Sequence, residues 1–342
     1  MSDITKMELY GAVADLDPLG FDETAAKLPD YNTRGYLGHV ATEYSRMLDV
    51  AEDAMDDFDP LQATAALRDL DFVAGSLLNQ GAAVLAEQEL AQRVLGKLGR
   101  RAGTVPRGTV FTYTAGNPTD SRARSFTGTA GENLFIDAVR EGIWRLDDCM
   151  DGISAGAEGD VYTLASVPSN MNGMVESMIT VKKGITPEFF TYKMRPYFDA
   201  LNIGGEEYAG AGGAQMQLIA VDRMLWGADS GNEIYQGYYA DNVRYLTPEH
   251  RAEITAFENK TDGMSLITMI EKGVLPQESI LPARAIVRSI RKFRFPHRKV
   301  AQDNFVLRAE GSVGSGQYTT TILDHLVELN DEAATRLDAI NV

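Results

Sequence analysis

The residues best suited to chemistry in this 342-residue chain gather between Ile286 and Tyr318, in IVRSIRKFRFPHRKVAQDNFVLRAEGSVGSGQY. Ile286, Ile290, Phe293, His297, Val300 and Asn304 recur at steps of three and four, which places them on one face of a helix and turns His297 inward. The rest of that helix is crowded with Arg284, Arg288, Arg291, Lys292, Arg294, Arg298 and Lys299, in a chain of formal net charge -17. Two readings fit His297. One is a hydrogen-bonded core histidine, and the other is a metal ligand that offers one imidazole nitrogen while a neighbour holds the second. The cations allow two readings as well, a solvated basic face or a site for anionic groups such as the propionates of a haem.

Immediately after this helix comes GSVGSGQY, with Gly311, Gly314 and Gly316 beside Ser312, Ser315, Gln317 and Tyr318. Glycines let backbone N–H groups approach a ligand closely, so this loop is suited to a small anion or a cofactor edge. It lacks the preceding strand and the lysine of a nucleotide-binding fingerprint.

RFPHRKVAQDNFVLRAEGSVGSGQY resembles the proximal-histidine helix and Gly-Ser loop of the haem dioxygenase superfamily, which includes indoleamine and tryptophan 2,3-dioxygenases. Within it, the chain is similar to the monodechloroaminopyrrolnitrin synthase family of pyrrolnitrin biosynthesis. Further blocks agree in order: RDLDFVAGSL from Arg68, GNPTDSRARSFTG from Gly116, MVES from Met174, FFTYKMRPYF from Phe189, and GGEEYAGAGGAQMQLIAVDRMLWG from Gly204. Two departures stand out. The loop reads GSGQY where the pyrrolnitrin enzyme has GSGGY, and YAGAGGAQM lacks that enzyme's proline.

The resemblance implies an all-α helical haem-dioxygenase fold, with haem b as cofactor and dioxygen as co-substrate. It makes His297 the axial ligand and Arg195 the anchor for a substrate carboxylate. Phe190, Met174 and Ser177 would line the distal pocket, and Ser315, Gly316 and Tyr318 would border the substrate. Gly314, Gly212 and Arg294 would help hold the cofactor. The implied substrate is tryptophan or a related aromatic amino acid, with an electron donor as partner and no catalytic base. Ring cleavage, rearrangement, hydroxylation and nitrogen oxidation all remain open as outcomes. A haem sensor or carrier without turnover is the alternative of a different class.

The elements that must position these residues read as helices almost throughout. Leu37 to Met55, Leu61 to Leu78, Ala82 to Leu98, Glu132 to Met150 and the segment from Ile322 to Ile340 all carry apolar residues at helical spacing. Glycines from Gly152 to Gly159 are expected to end the fourth of these. Thr186-Pro187-Glu188 is a helix start, with a side-chain cap and proline at the first helical position. Arg195 sits among aromatics in the helix that follows, where a guanidinium suits a carboxylate. Gly204 to Gly213 precede a further helix whose N-terminal amides suit an anion. Asp222, on the apolar face of that helix, requires a partner if buried. His39 is read as a surface pair with Glu43, His250 as structural and His325 as a partly exposed pair with Glu328. Periodicity stops between Arg100 and Gly131, where Val110, Phe111, Tyr113 and Phe126 predict a packed irregular segment. The expected division is 1–130 as an N-terminal helical region with this covering segment, and 131–342 as the haem- and substrate-binding domain.

Composition excludes several classes. With Cys149 the only cysteine, there is no internal disulfide, cysteine zinc site or iron–sulfur cluster. Strong net negative charge disfavours nucleic-acid binding. No run approaches a membrane span and the start lacks a signal-peptide pattern, so a soluble cytoplasmic protein is expected.

Overall fold

The computed structural model describes residues 5–211, 216–307 and 318–340. It is all-α, as expected, with long helices α1 (Leu37–Ala54), α2 (Pro60–Asn79), α3 (Glu89–Ala102), α4 (Ala130–Ala157), α5 (Val161–Gly184), α6 (Glu233–Val243), α7 (Pro248–Lys260), α8 (Ile280–Val306) and α9 (Thr321–Asp338). The chain divides into two compact units, one of residues 1–140, 184–215 and 315–317, the other of 141–183, 216–314 and 318–342.

In the first unit α2 is the central element. Asp59 caps it by accepting from the Gln62 N–H at 2.8 Å, Gln62 Oε1 accepts from the Asp59 N–H at 2.9 Å, and Pro60 fills the first helical position. Its residues are buried almost continuously from Ala63 to Leu77, charged ones included. Arg68 donates to both oxygens of Asp69 and to the carbonyls of Val13, Leu16 and Gly116. Arg124 reaches the same carboxylate, and Arg107 pairs with Asp71. The irregular segment around Phe126 is packed, as its aromatics predict. Glu132, in the first turn of α4, is fully buried and accepts from Tyr113 Oη, Ser125 Oγ, the Phe126 N–H, and both the N–H and hydroxyl of Thr127. One carboxylate therefore gathers the segment.

A short hairpin, absent from the sequence expectation, pairs β1 (Leu201–Ile203) with β2 (Glu206–Tyr208). Gly204 and Gly205 form its two-residue turn with φ of 67° and 84°, which a residue with a Cβ rarely adopts. These two glycines are thus accounted for by a turn. His39 also departs from expectation: it packs on the rings of Tyr31 and Tyr36, while Glu43 is taken by Arg46.

In the second unit α4 does not stop at Gly152. It runs on through Gly156 to Ala157 because these glycines admit the neighbouring helix. A Cβ on Gly152 would run into Val167 Cγ2, and one on Gly156 would lie 2.8 Å from Leu164 Cδ1 of α5. Close contact, not termination, is their role.

Helices α8 and α9 are antiparallel, and their ion pairs share one register. Arg284 meets Asp338 at 3.2 Å, Arg291 meets Asp331 at 2.6 Å, and Arg298 meets Asp324 at 3.0 Å, each step moving seven residues forward on α8 and seven back on α9. Arg284 also donates to the carbonyls of Leu337 and Ile340 beyond the last turn of α9. Much of the cationic crowding on α8 therefore answers acids of α9. Such half-exposed pairs contribute only about 0.2–1 kcal/mol each, so they select register while apolar burial supplies the stability.

Replacing Gly152 with Ala should overpack the α4–α5 contact and lower stability by about 1–3 kcal/mol. Gly237 in α6 has open space around its Cα, so Gly237→Ala should raise stability by about 0.5–1 kcal/mol. Urea unfolding of the two variants checks both signs.

Candidate functional site

Helix α8 carries both His297 and Arg294. Its apolar stripe is buried at Ile286, Ile290 and Phe293, and from His297 onward the same face is half-buried. Pro296 lies inside the helix. Having no N–H, it leaves the Lys292 carbonyl without its helical partner one residue before His297.

The His297 imidazole stacks on the Phe293 ring, with centroids 5.2 Å apart and planes at 25°. Neither ring nitrogen has a hydrogen-bond partner among the described residues. Burial, and secondarily the Arg294 cation, hold its pKa down at about 4. At neutral pH the ring is uncharged, with a lone pair to give.

Arg294 is itself buried and forms an ion pair with Asp222 through Nη2. This supplies the partner that the sequence demands for Asp222. Burial pushes the Asp222 carboxyl up, and the Arg294 guanidinium opposes it. Arg294 Nε and Nη1 are buried without hydrogen-bond partners among the described residues. Two unsatisfied donors on one guanidinium, each costing about 1–3 kcal/mol when left dry, suit an anionic group held beside His297.

Asp222 ends a short helix (Leu218–Asp222) that passes into a π-helical turn, Arg223–Gly227. Such turns recur at functional sites. Trp226 packs against Tyr235 of α6 with centroids 4.6 Å apart and planes tilted by 47°, and a Cβ at Gly227 would strike the Tyr235 hydroxyl. Tyr238, also on α6, meets the Tyr318 ring edge-on at 5.2 Å. Tyr318 donates its hydroxyl hydrogen to Asp241 Oδ2 at 2.6 Å. The triad of Tyr235, Tyr238 and Tyr239 went unweighed in the sequence, although spacings of three and four on one helix carry the signal.

Helix α5 packs on α8 through Ser289, whose hydroxyl donates to Asn172 Oδ1 at 3.2 Å. Two residues on, Met174 is buried near Gly142. Ser177 is half-buried and donates to the Gly173 carbonyl of its own helix at 3.3 Å. His250 is fully buried, bonded to Asp147 at 2.7 Å and to Thr247 at 2.9 Å. That accords with its structural reading.

Arg195 and Phe190 belong to the first unit. Thr186 caps their helix, accepting from the Phe189 N–H at 3.2 Å. The expected regular helix is instead a π-helical turn, Phe190–Met194, followed by a 3-10 turn, Arg195–Phe198, where Pro196 removes a donor. Arg195 is buried and donates from Nη1 to Asp199 at 2.9 Å. Phe190 lies against Phe135 at 5.8 Å. Gly212, Gly314, Ser315 and Gly316 lie outside the described residues.

The family model described as monodechloroaminopyrrolnitrin synthase PrnB matches residues 35–275, the greater part of the chain. The chain belongs to the PrnB family. This is a family of oxygenases, and the match agrees with the resemblance seen in the sequence blocks from Arg68 to Trp226. The PrnB match ends before α8, so the reading of His297 and Arg294 rests on the residues themselves and on the geometry above. No helix among the described residues is long and apolar enough to cross a membrane.

The folded imidazole of His297 has a pKa below its ordinary 6.5. The unfolded chain therefore takes up a proton at His297 that the folded chain refuses, and this group costs stability as pH falls from about 6.5 towards 4. His297→Gln should flatten that part of the stability profile relative to wild type, as measured by urea unfolding at pH 7 and pH 4.5. Asp222→Ala leaves the buried Arg294 cation unpaired and should cost about 3–5 kcal/mol. The double variant Asp222→Ala, Arg294→Met should recover part of that loss in the same assay.

Proposed function

We propose that the protein is a haem b-dependent oxygenase that uses dioxygen on tryptophan or a related aromatic amino acid, with His297 as axial ligand to the iron. The observation that supports this is a neutral imidazole beside a guanidinium that has two donors unsatisfied among the described residues. A lone histidine does not hold a bare divalent ion, which takes three or four protein ligands, and the described residues contain no group of three or more metal-binding side chains. It does suit iron already held by a macrocycle.

The residues fit such a group. Arg294 Nε and Nη1 would receive a propionate, while Nη2 pairs with Asp222. Phe293 fixes the plane of the imidazole from below. When bound, the haem supplies the redox chemistry with dioxygen, as cofactors do for this class of reaction. What the chain contributes is positioning, exclusion of water and charge.

Arg195 is the assigned anchor for the substrate carboxylate. Asp199 engages its Nη1 and so orients the guanidinium fork. Phe190, Met174, Ser177 and Tyr318, with the amides and hydroxyl of Ser315 and Gly316, complete the substrate assignment. Gly212 and Gly314 are assigned to the cofactor. An external electron donor would supply the reducing equivalents for this chemistry. The reaction needs no general base from the protein, since an indole ring is already electron-rich.

Wild type reconstituted with haem should show the Soret band of a histidine-ligated iron, and His297→Ala should lose it. Titration with L-tryptophan and its chlorinated relatives should then shift the band, and Arg195→Met should weaken that shift about tenfold or more, in keeping with loss of a charge-assisted pair of 1.5–3 kcal/mol. Haem uptake unchanged in His297→Ala would sink the assignment.

A further inference from the structure

We propose that Tyr238, Tyr318 and Asp241 form a proton-coupled exit through which oxidising equivalents leave the cofactor site for the protein surface, a protective function separate from turnover of the amino acid. The proposal rests on the haem reading for its oxidant, and on the second unit alone for its geometry.

Tyr238 is buried on α6 and close enough to the Arg294–Asp222 pair to feel both charges. Its ring touches that of Tyr318 at 5.2 Å, edge to face. Tyr318 is half-buried, and its hydroxyl donates to Asp241 Oδ2 at 2.6 Å while accepting from Asn242 Nδ2 at 3.4 Å. Asp241 is exposed. Two aromatic rings in contact thus lead from beside the ion pair to a carboxylate in water.

The end point follows from where the proton can go. A phenol that loses an electron becomes strongly acidic, so oxidation is easy only where an acceptor already holds the hydrogen. Tyr318 has such an acceptor. Tyr235 does not, because its buried hydroxyl has no hydrogen-bond partner among the described residues. Tyr239 is disfavoured for another reason: the Arg223 guanidinium lies 4.5 Å over its ring, and a cation on the ring face opposes loss of an electron. Holes that reach α6 therefore settle on Tyr318.

The balance of the step is as follows. Hydrogen peroxide, formed when oxygen reduction uncouples from substrate oxidation, oxidises the haem site by two equivalents. Each equivalent would be discharged by one electron from Tyr318, passed by way of Tyr238, with Tyr318 restored between the two, and the peroxide ends as two molecules of water. The Tyr318 O–H bond breaks, and its proton moves to Asp241 Oδ2 and on to solvent. The neutral phenoxyl then takes a hydrogen atom from a small-molecule thiol or ascorbate, which restores Tyr318.

The test has two arms, each read by electron paramagnetic resonance with ring-deuterated tyrosine to identify the radical. In the first, ferric haem-loaded protein is mixed with hydrogen peroxide and frozen. In the second, cofactor-free protein is oxidised by a photogenerated ruthenium(III) tris-bipyridyl complex. Wild type should give a tyrosyl signal in both. Tyr318→Phe, which keeps the ring and so the fold, should lose that signal in both arms, and Tyr238→Phe should lose it in the first arm alone. Asp241→Asn should make its yield rise with pH, as solvent base replaces the carboxylate. Tyr113→Phe, which removes the buried tyrosine that donates to Glu132, should leave it unchanged. A signal that persists in Tyr318→Phe overturns the proposal. Failure to take up haem sinks the oxygenase reading instead, and the second arm still decides whether Tyr318 and Asp241 act as a pair.

Discussion

An arginine taken out of water has to bring its countercharge with it, and this structure is arranged around that requirement. Arg68, Arg107, Arg124 and Arg294 are all buried, and each meets an aspartate. In the first unit the aspartates belong to α2, so the helix at the centre of the apolar core is also where distant loop segments are pinned. Arg124 brings the irregular segment to Asp69, and Arg107 donates to the carbonyls of Asp199 and Tyr208, which ties the short hairpin to the same helix. In the second unit the pair is incomplete by design of its geometry: Arg294 satisfies Asp222 with one nitrogen and keeps two donors in reserve. Asp69 in the first unit, by contrast, takes both Arg68 and Arg124.

This contrast explains why identical residue types serve different ends in the two units. Asp69 receives two guanidinium groups and Glu132 receives five donors, and neither has anything left to offer a ligand. His297, by comparison, is neutral, half-buried and without a hydrogen bond to any of the described residues. A side chain in that condition is stable only because it is uncharged, and its availability is the same fact as its depressed basicity.

The sequence made the helices legible because apolar spacing follows directly from which face is buried. It also pointed to His297, since a histidine on an apolar stripe among cations is conspicuous. What stayed hidden was set by distance in space. Nothing in the spacing of Asp222 names Arg294, seventy-two residues on, and no local signal marks the π-helical turns at Phe190–Met194 and Arg223–Gly227. Glycines misled in one direction and informed in another. Gly152 and Gly156 looked like a helix end and are close-packing sites, because a missing Cβ serves a turn and a tight contact equally well. Gly204 and Gly205 gave no hint of their hairpin, since three-residue strands are too short to alternate visibly.

The three ion pairs between α8 and α9 have a consequence for how this part of the chain can vary in length. Because 284, 291 and 298 are matched to 338, 331 and 324, adding or deleting a single residue within either helix between those positions would rotate the remaining partners by about 100° and dissolve the register. The connection between the helices carries no such constraint, since it lies beyond the last matched pair. Within the paired spans, from 284 to 298 and from 324 to 338, the length of each helix is therefore fixed by its partner.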